Sequence, residues 1–207
     1  MKTKLINTIT ETIISFYGVN PQLSPDFARI ANRVHFDRLY RLMQDANIIH
    51  GGVTDPETLY IAPTVLDNVL PSDSIMQEEI FGPLLPILTF TSCDEVIRSM
   101  QEQPKPLALY VFSKDRLFID RLLRSVPAGN ACVNGTFSQL ISFTLPFGGV
   151  GASGMGRYHG RYSFDTFTYE KSVLYKSLAW DNRFFYPPYK TSLRVIKKAI
   201  KILFTHR

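Results

Sequence analysis

Residues 84–133 alternate short apolar runs with helix-patterned stretches, and this alternation constrains the fold more than any other feature. Residues 84–90, 107–112 and 131–133 have the length and side-chain types of strands. Between the first two, Ser92-Cys93-Asp94-Glu95 fits a capping box, with Glu three positions after Ser, and opens a helix running to about Glu102. Ser113 reads as the cap of a second helix bearing Leu117, Phe118, Leu122 and Val126, which Pro127-Ala128-Gly129 stops. Residues 107–112 are apolar without interruption, the pattern of a strand covered on both faces. Strand, helix, strand, helix, strand at these lengths is βαβ logic. It predicts an α/β layer with a partly parallel sheet. Pro86 argues for a bulge or an edge position in the first strand.

The flanks are less regular. Residues 3–17 predict an amphipathic helix with Leu5, Ile6, Ile9, Ile13 and Phe16 near one face, ended by Gly18. Ser24-Pro25 predicts the start of a second helix, continued by Phe27, Ile30, Val34, Leu39, Leu42, Met43 and Ala46, with a break near Asn32. His50-Gly51-Gly52 is a turn, and residues 59–66 read as a strand interrupted by Pro63. Residues 146–160 form a glycine-rich loop. A short aromatic helix is expected at 163–168 and a final strand at 172–176. There is no internal repeat and no long linker.

The 207 residues are 45% hydrophobic, which excludes a disordered chain, and no apolar run approaches the roughly eighteen residues of a membrane-spanning helix. The start carries Lys2 and Lys4 without an unbroken apolar stretch, so no signal peptide is expected. The formal charge of +5 is local. Lys190, Arg194, Lys197, Lys198, Lys201 and Arg207 stand together without an acid, leaving 17 basic against 18 acidic residues elsewhere. A nucleic-acid binder would carry its charge on a folded face, so no nucleic acid is expected as a partner. Leu193, Ile196, Ile200 and Leu203 fall on one side of this tail and most cations on the other. Two readings fit equally: a helix lying on an anionic membrane, or one packed on its own domain or a partner subunit. Cys93 and Cys132 form no disulfide framework, which points to a reducing compartment, the cytoplasm, peripheral to a membrane if the tail binds one.

Four stretches could carry chemistry. Gly149-Val150-Gly151-Ala152-Ser153-Gly154 matches G-x-G-x-x-G, yet Pro146 precedes it and Gly156 and Gly160 follow, where a nucleotide fingerprint needs a strand and a long helix. A loop that brings backbone close to another segment or a ligand fits better. Glu78-Glu79 before Phe81-Gly82-Pro83 is either a solvated loop or a carboxylate beside an aromatic wall, suited to a ribose diol and a flat ring. His35, His50, His159 and His206 lack ligand spacing, so no metal site is expected. Cys93 falls in the first turn of a helix, where the dipole favours a thiolate, but no base accompanies it; Cys132 reads as core. No nucleophile, base and orienter can be assembled, and no catalytic residue is assigned.

Several of these stretches, in this order, resemble one family. Gln77-Glu78-Glu79-Ile80-Phe81-Gly82-Pro83 resembles the Q-E-E-I-F-G-P motif of aldehyde dehydrogenases, and residues 146–154 resemble their P-F-G-G-x-x-x-S-G loop. Gly154-Met155-Gly156-Arg157-Tyr158-His159-Gly160, Ser163-Phe164-Asp165-Thr166-Phe167, Lys105-Pro106-Leu107-Ala108-Leu109-Tyr110 and Tyr186-Pro187-Pro188 are similar to the class 3 branch, which includes fatty aldehyde dehydrogenases. The resemblance covers roughly residues 5–190.

It implies an oxidoreductase converting aldehydes, medium- to long-chain or aromatic, to carboxylic acids with NAD or NADP. It further implies that Glu79 binds the nicotinamide ribose hydroxyls, that Phe81 walls the nicotinamide ring and that Phe147 borders the aldehyde pocket. In this family the nucleophilic cysteine, the general-base glutamate and the Rossmann half precede the segment seen here, and neither Cys93 nor Cys132 aligns with that cysteine. The chain is therefore similar to the later part of the catalytic domain, which implies a partial catalytic and oligomerisation domain over 1–176, with a dimerisation strand, and an extension over 177–207 with a basic tail helix. Asn134-Gly135-Thr136 stands where the branch more often has Asn-Asp. The expectation is a portion inactive alone, partnered by a second copy or by the missing N-terminal half as in a split enzyme. A non-catalytic interaction module and an inactive gene remnant are the alternatives.

Overall fold

The structure is a computed structural model describing residues 1–181, 186–188 and 192–204, without the side chain of Leu203. Lys190, Arg207 and His206 lie outside the described residues, as does the Leu203 side chain.

The first helix, α1 (Lys2–Tyr17), forms where its pattern places it and ends at Gly18, whose φ of 79° reverses the chain. Ile6, Ile9 and Ile13 are half-buried, while Leu5 and Phe16 stay exposed. The second helix begins later than Ser24. Ser24 spends its hydroxyl on the Asp26 N–H, and residues 24–32 form no helix. α2 (Arg33–Met43) starts at Asn32, whose side chain accepts from the His35 N–H at 2.9 Å. The expected break is thus the true N-cap.

α2 buries Phe36, Leu39, Leu42 and Met43 against a small mixed sheet. In that sheet β1 (Asn47–His50) runs antiparallel to the central β4 (Thr64–Asp67), which is parallel to β5 (Leu84–Pro86). A two-residue ladder of β2 (Thr54–Asp55) and β3 (Tyr60–Ile61) lies between β1 and β4 in sequence. Pro63 does separate β3 from β4, and Pro86 does end an edge strand. Gly51, at φ 80°, sits against the Pro63 carbonyl, where no side chain fits. Leu39 and Leu66 are fully buried at this centre, each worth about 2 kcal/mol of apolar transfer.

The second layer is α3 (Cys93–Gln101), β6 (Ala108–Val111), α4 (Arg116–Ser125) and β7 (Asn130–Val133). β6 and β7 pair in parallel across α4, as βαβ logic requires. β5 belongs to the other sheet, so the expected three-strand run is divided between two. Ile97, Leu109, Val111, Leu122 and Val126 form this layer's core. β6 is covered on one face only: Leu109 and Val111 are buried while Tyr110 is 37% exposed. β7 is half-exposed along its length, which corrects the expectation of Cys132 as core. Asp115, not Ser113, caps α4 by accepting from the Leu117 and Phe118 N–H groups. The Ser113 hydroxyl accepts from the Asp115 N–H instead. Ser92 caps α3 as expected, and Glu95 reaches back chiefly to the Thr91 N–H and hydroxyl, with the Ser92 N–H a lesser contact.

Beyond β7 lie α5 (Ser138–Ile141), the glycine loop, α6 (Arg161–Phe167) and α7 (Leu193–Phe204). Residues 172–176 form no strand within this chain. Val173, Leu174 and Tyr175 are 59–92% exposed, and a strand requires a neighbouring edge for its N–H and C=O groups. No helix among the described residues is long and apolar enough to cross a membrane.

Candidate functional site

Residues 77–82 are held down by α2. The Arg38 guanidinium donates to the backbone carbonyls of Glu79 at 3.2 Å and Ile80 at 2.6 Å, and pairs with the Glu78 carboxylate at 3.3 Å. The Arg38 side chain is 19% exposed, so these contacts form in a partly dry setting where charge-assisted bonds count. Gly82 lies directly over Leu39: a Cβ there would fall 2.6 Å from the Leu39 methyls.

Between those two anchors Phe81 takes φ 44°, a left-handed conformation that costs a non-glycine residue about 1–2 kcal/mol. The ring projects outward and is 75% exposed. A strained backbone that presents a bare aromatic face is characteristic of binding sites.

The adjacent carboxylates are divided in role. Glu78 neutralises Arg38. Glu79 is exposed and its carboxylate makes no hydrogen bond or ion pair among the described residues, so all its acceptor capacity faces outward. Free carboxylate and flat apolar ring, two residues apart on a pinned loop, suit a ligand with a vicinal diol next to an aromatic ring. An acceptor for two hydroxyls and a flat apolar face fit the ribose and ring of a nicotinamide nucleotide.

Phe147 lies in a separate cluster on the glycine loop. Phe147 and Tyr158 form an antiparallel bridge, with N–H to carbonyl distances of 3.1 and 2.9 Å, and their rings meet edge-on at 5.7 Å. His159 packs against Tyr158 at 4.2 Å and against Phe147 at 6.1 Å. Its backbone N–H is tied to Ser163, and its buried Nδ1 has no hydrogen-bond partner among the described residues. The close-approach reading of this loop is correct. A Cβ on Gly148 would collide with the Gly156 carbonyl, and one on Gly149 with the Ser153 carbonyl. No strand precedes Gly149, and only a single 3-10 turn, Gly151–Ser153, follows.

Cys93 stands at the first position of α3 but packs against the second core. The Cys132 sulfur would be the nearest neighbour of a side chain at position 135. The Asn134 side chain accepts from the Ser113 N–H and donates to the Ser113 carbonyl, closing β6 onto β7. Sequence reasoning missed two polar features. One is Arg38, which donates to backbone carbonyls 41 and 42 positions away. The other is buried Gln139, which donates to the Tyr110 hydroxyl at 3.2 Å and the Asn130 side-chain oxygen at 3.0 Å. Only tertiary proximity reveals either.

The α/β scaffold thus presents two features, a pinned carboxylate–aromatic loop and a glycine loop with an aromatic cluster. The pattern of the aldehyde dehydrogenase family matches residues 19–173, and the chain belongs to that family. It is 49% identical to the 4,4'-diaponeurosporen-aldehyde dehydrogenase of Staphylococcus aureus (strain NCTC 8325 / PS 47) and 45% identical to the aldehyde dehydrogenase family 3 member B1 of Rattus norvegicus. In each case the match covers 97% of this chain and 44% of the relative. Among solved structures, the substrate-bound state of Staphylococcus aureus AldH superposes with a TM-score of 0.81 at 49% identity, over 97% of this chain and 44% of that one. An indole-3-acetaldehyde dehydrogenase complexed with NAD+ superposes with a TM-score of 0.65 at 30% identity, over 74% of this chain and 33% of that one. The chain thus spans less than half the length of these proteins.

Proposed function

We propose that this chain supplies the later part of an NAD(P)-dependent aldehyde dehydrogenase of the class 3 type. In this reading Glu79 accepts the nicotinamide ribose hydroxyls, Phe81 walls the ring and Phe147 borders the aldehyde pocket. The bound dinucleotide would supply the hydride acceptor. The division of labour between Glu78, paired with Arg38, and Glu79, held outward, is the observation that carries this reading.

Residues 1–207 hold no thiolate beside that loop, so turnover requires a nucleophile and a general base from polypeptide outside them. Phe137, Phe143, Phe164 and Phe167, 63–87% exposed, supply apolar surface for such polypeptide to cover. Residues 172–176 gain their strand partners by pairing with a second copy or with the preceding half. Two unpaired cysteines favour the cytoplasm. Residues 1–176 act as the catalytic and oligomerisation unit, and 177–207 as an extension.

The test is Glu79→Gln in the enzyme completed with a class 3 N-terminal half. The expected result is a KM for NAD raised about ten- to a hundredfold, the worth of a charge-assisted hydrogen bond, with little change in the aldehyde KM. An unchanged cofactor KM would remove Glu79 from the site.

A further inference from the structure

The basic helix α7 (Leu193–Phe204) stands apart from both cores: every side chain described in it is solvent-exposed. At about 100° per residue, Arg194, Lys197, Lys198 and Lys201 fall within an arc of about 100°, and the apolar residues take the rest of the circumference. Leu193, Val195, Ile196, Ile200, Ile202 and Phe204 on that wider side are 43–82% exposed.

We infer that α7 is an interfacial helix for an anionic bilayer, its apolar arc lying among acyl chains and its cations meeting lipid phosphates. Three observations favour lipid over a protein groove. The helix contains no acid, although a solvent-facing helix side in a protein complex ordinarily mixes signs. Arg194 with Lys198, and Lys197 with Lys201, are like-charge pairs one turn apart, which oppose the helix in water and are relieved on a negative surface. Arg194 in the first turn also sits at the positive end of the helix dipole. A twelve-residue helix is marginal without tertiary packing, so burying its apolar arc is what would sustain it. Lys and Arg stems can also lie along the apolar boundary while their heads stay in the headgroup layer. Trp180, 70% exposed, and Tyr186, 52% exposed, add side chains of the type that settles at such boundaries. The inference is independent of whether the chain takes part in aldehyde oxidation.

The test is sedimentation of residues 1–207 with vesicles of phosphatidylcholine alone or doped with phosphatidylglycerol. Binding is expected to the doped vesicles only, weakening as salt rises. Lys197→Ala with Lys198→Ala should weaken it about twenty-five-fold, from about fivefold per cation. Ile196→Ser with Ile200→Ser should weaken it while leaving the charge intact. Thermal unfolding of each variant, matched to the parent, separates lost binding from lost fold. No binding to either vesicle, equal binding to both, or binding that survives removal of residues 190–207 would each overturn the inference.

Discussion

Arg38 on α2 holds the backbone of Glu79, 41 positions away in sequence, through the Glu79 carbonyl, while its charge is met by the neighbouring Glu78. One cation therefore orients the loop and leaves the Glu79 carboxylate free. Arg38→Ala should cost about 1.5–3 kcal/mol, because it leaves the Ile80 carbonyl without its charged donor. Hydrogen exchange at residues 77–82 should quicken while α3 and α4 keep their protection. Arg38→Lys should recover the pairing with Glu78 but not the two-carbonyl grip, since a point charge lacks the guanidinium fork. Unaltered exchange in Arg38→Ala would show that Leu39 beneath Gly82 holds the loop unaided.

The glycine loop should be intolerant where backbone meets backbone. Gly149→Ala places a methyl on the Ser153 carbonyl, which no side-chain rotation relieves. A loss of about 1–3 kcal/mol is expected in chemical denaturation. Gly135→Ala is the control: its nearest neighbour is the Cys132 sulfur at 3.4 Å, and a change within about 0.5 kcal/mol is expected.

Acid should act through Asp67. Lys2 donates to both of its carboxylate oxygens, at 2.9 and 3.0 Å, and the Asn68 N–H donates to one at 2.7 Å, so the carboxyl is held below its ordinary value. The folded state binds this proton less readily than the unfolded state does. The stabilisation is therefore complete above the unfolded value, about 3.9, and is lost as pH falls through the lowered folded value. Denaturation midpoints followed downward from about pH 5 should fall more steeply for the parent than for Asp67→Asn. Parallel curves would remove Asp67 from the acid response.

The local grammar of the chain was legible, and its long-range geometry was not. Ser92, Gly18, Pro63 and Pro86 act on their own neighbours, and each does what its chemistry predicts. Ser24 and Ser113 were misread because serine caps a turn as readily as a helix, and Asn32 and Asp115 stood a few residues on with better geometry. The assignment of β5 to a different sheet from β6 could not be read, since a strand carries no mark of its partner. Residues 172–176 have a strand's composition, but they pair with no edge among the described residues. The motif at 77–83 marks a candidate site. The division between Glu78 and Glu79 emerged only once Arg38 was placed beside them.

The central proposal is that residues 1–207 carry an aldehyde dehydrogenase's cofactor-facing loop and need further polypeptide for turnover. The most direct measurement is formation of reduced nicotinamide nucleotide from NAD and a long-chain aldehyde, by residues 1–207 alone and again with a class 3 N-terminal half added. The account predicts a rate equal to the protein-free control in the first case and restored oxidation in the second. Turnover by residues 1–207 alone, abolished by substituting Cys93 or Cys132, would contradict it.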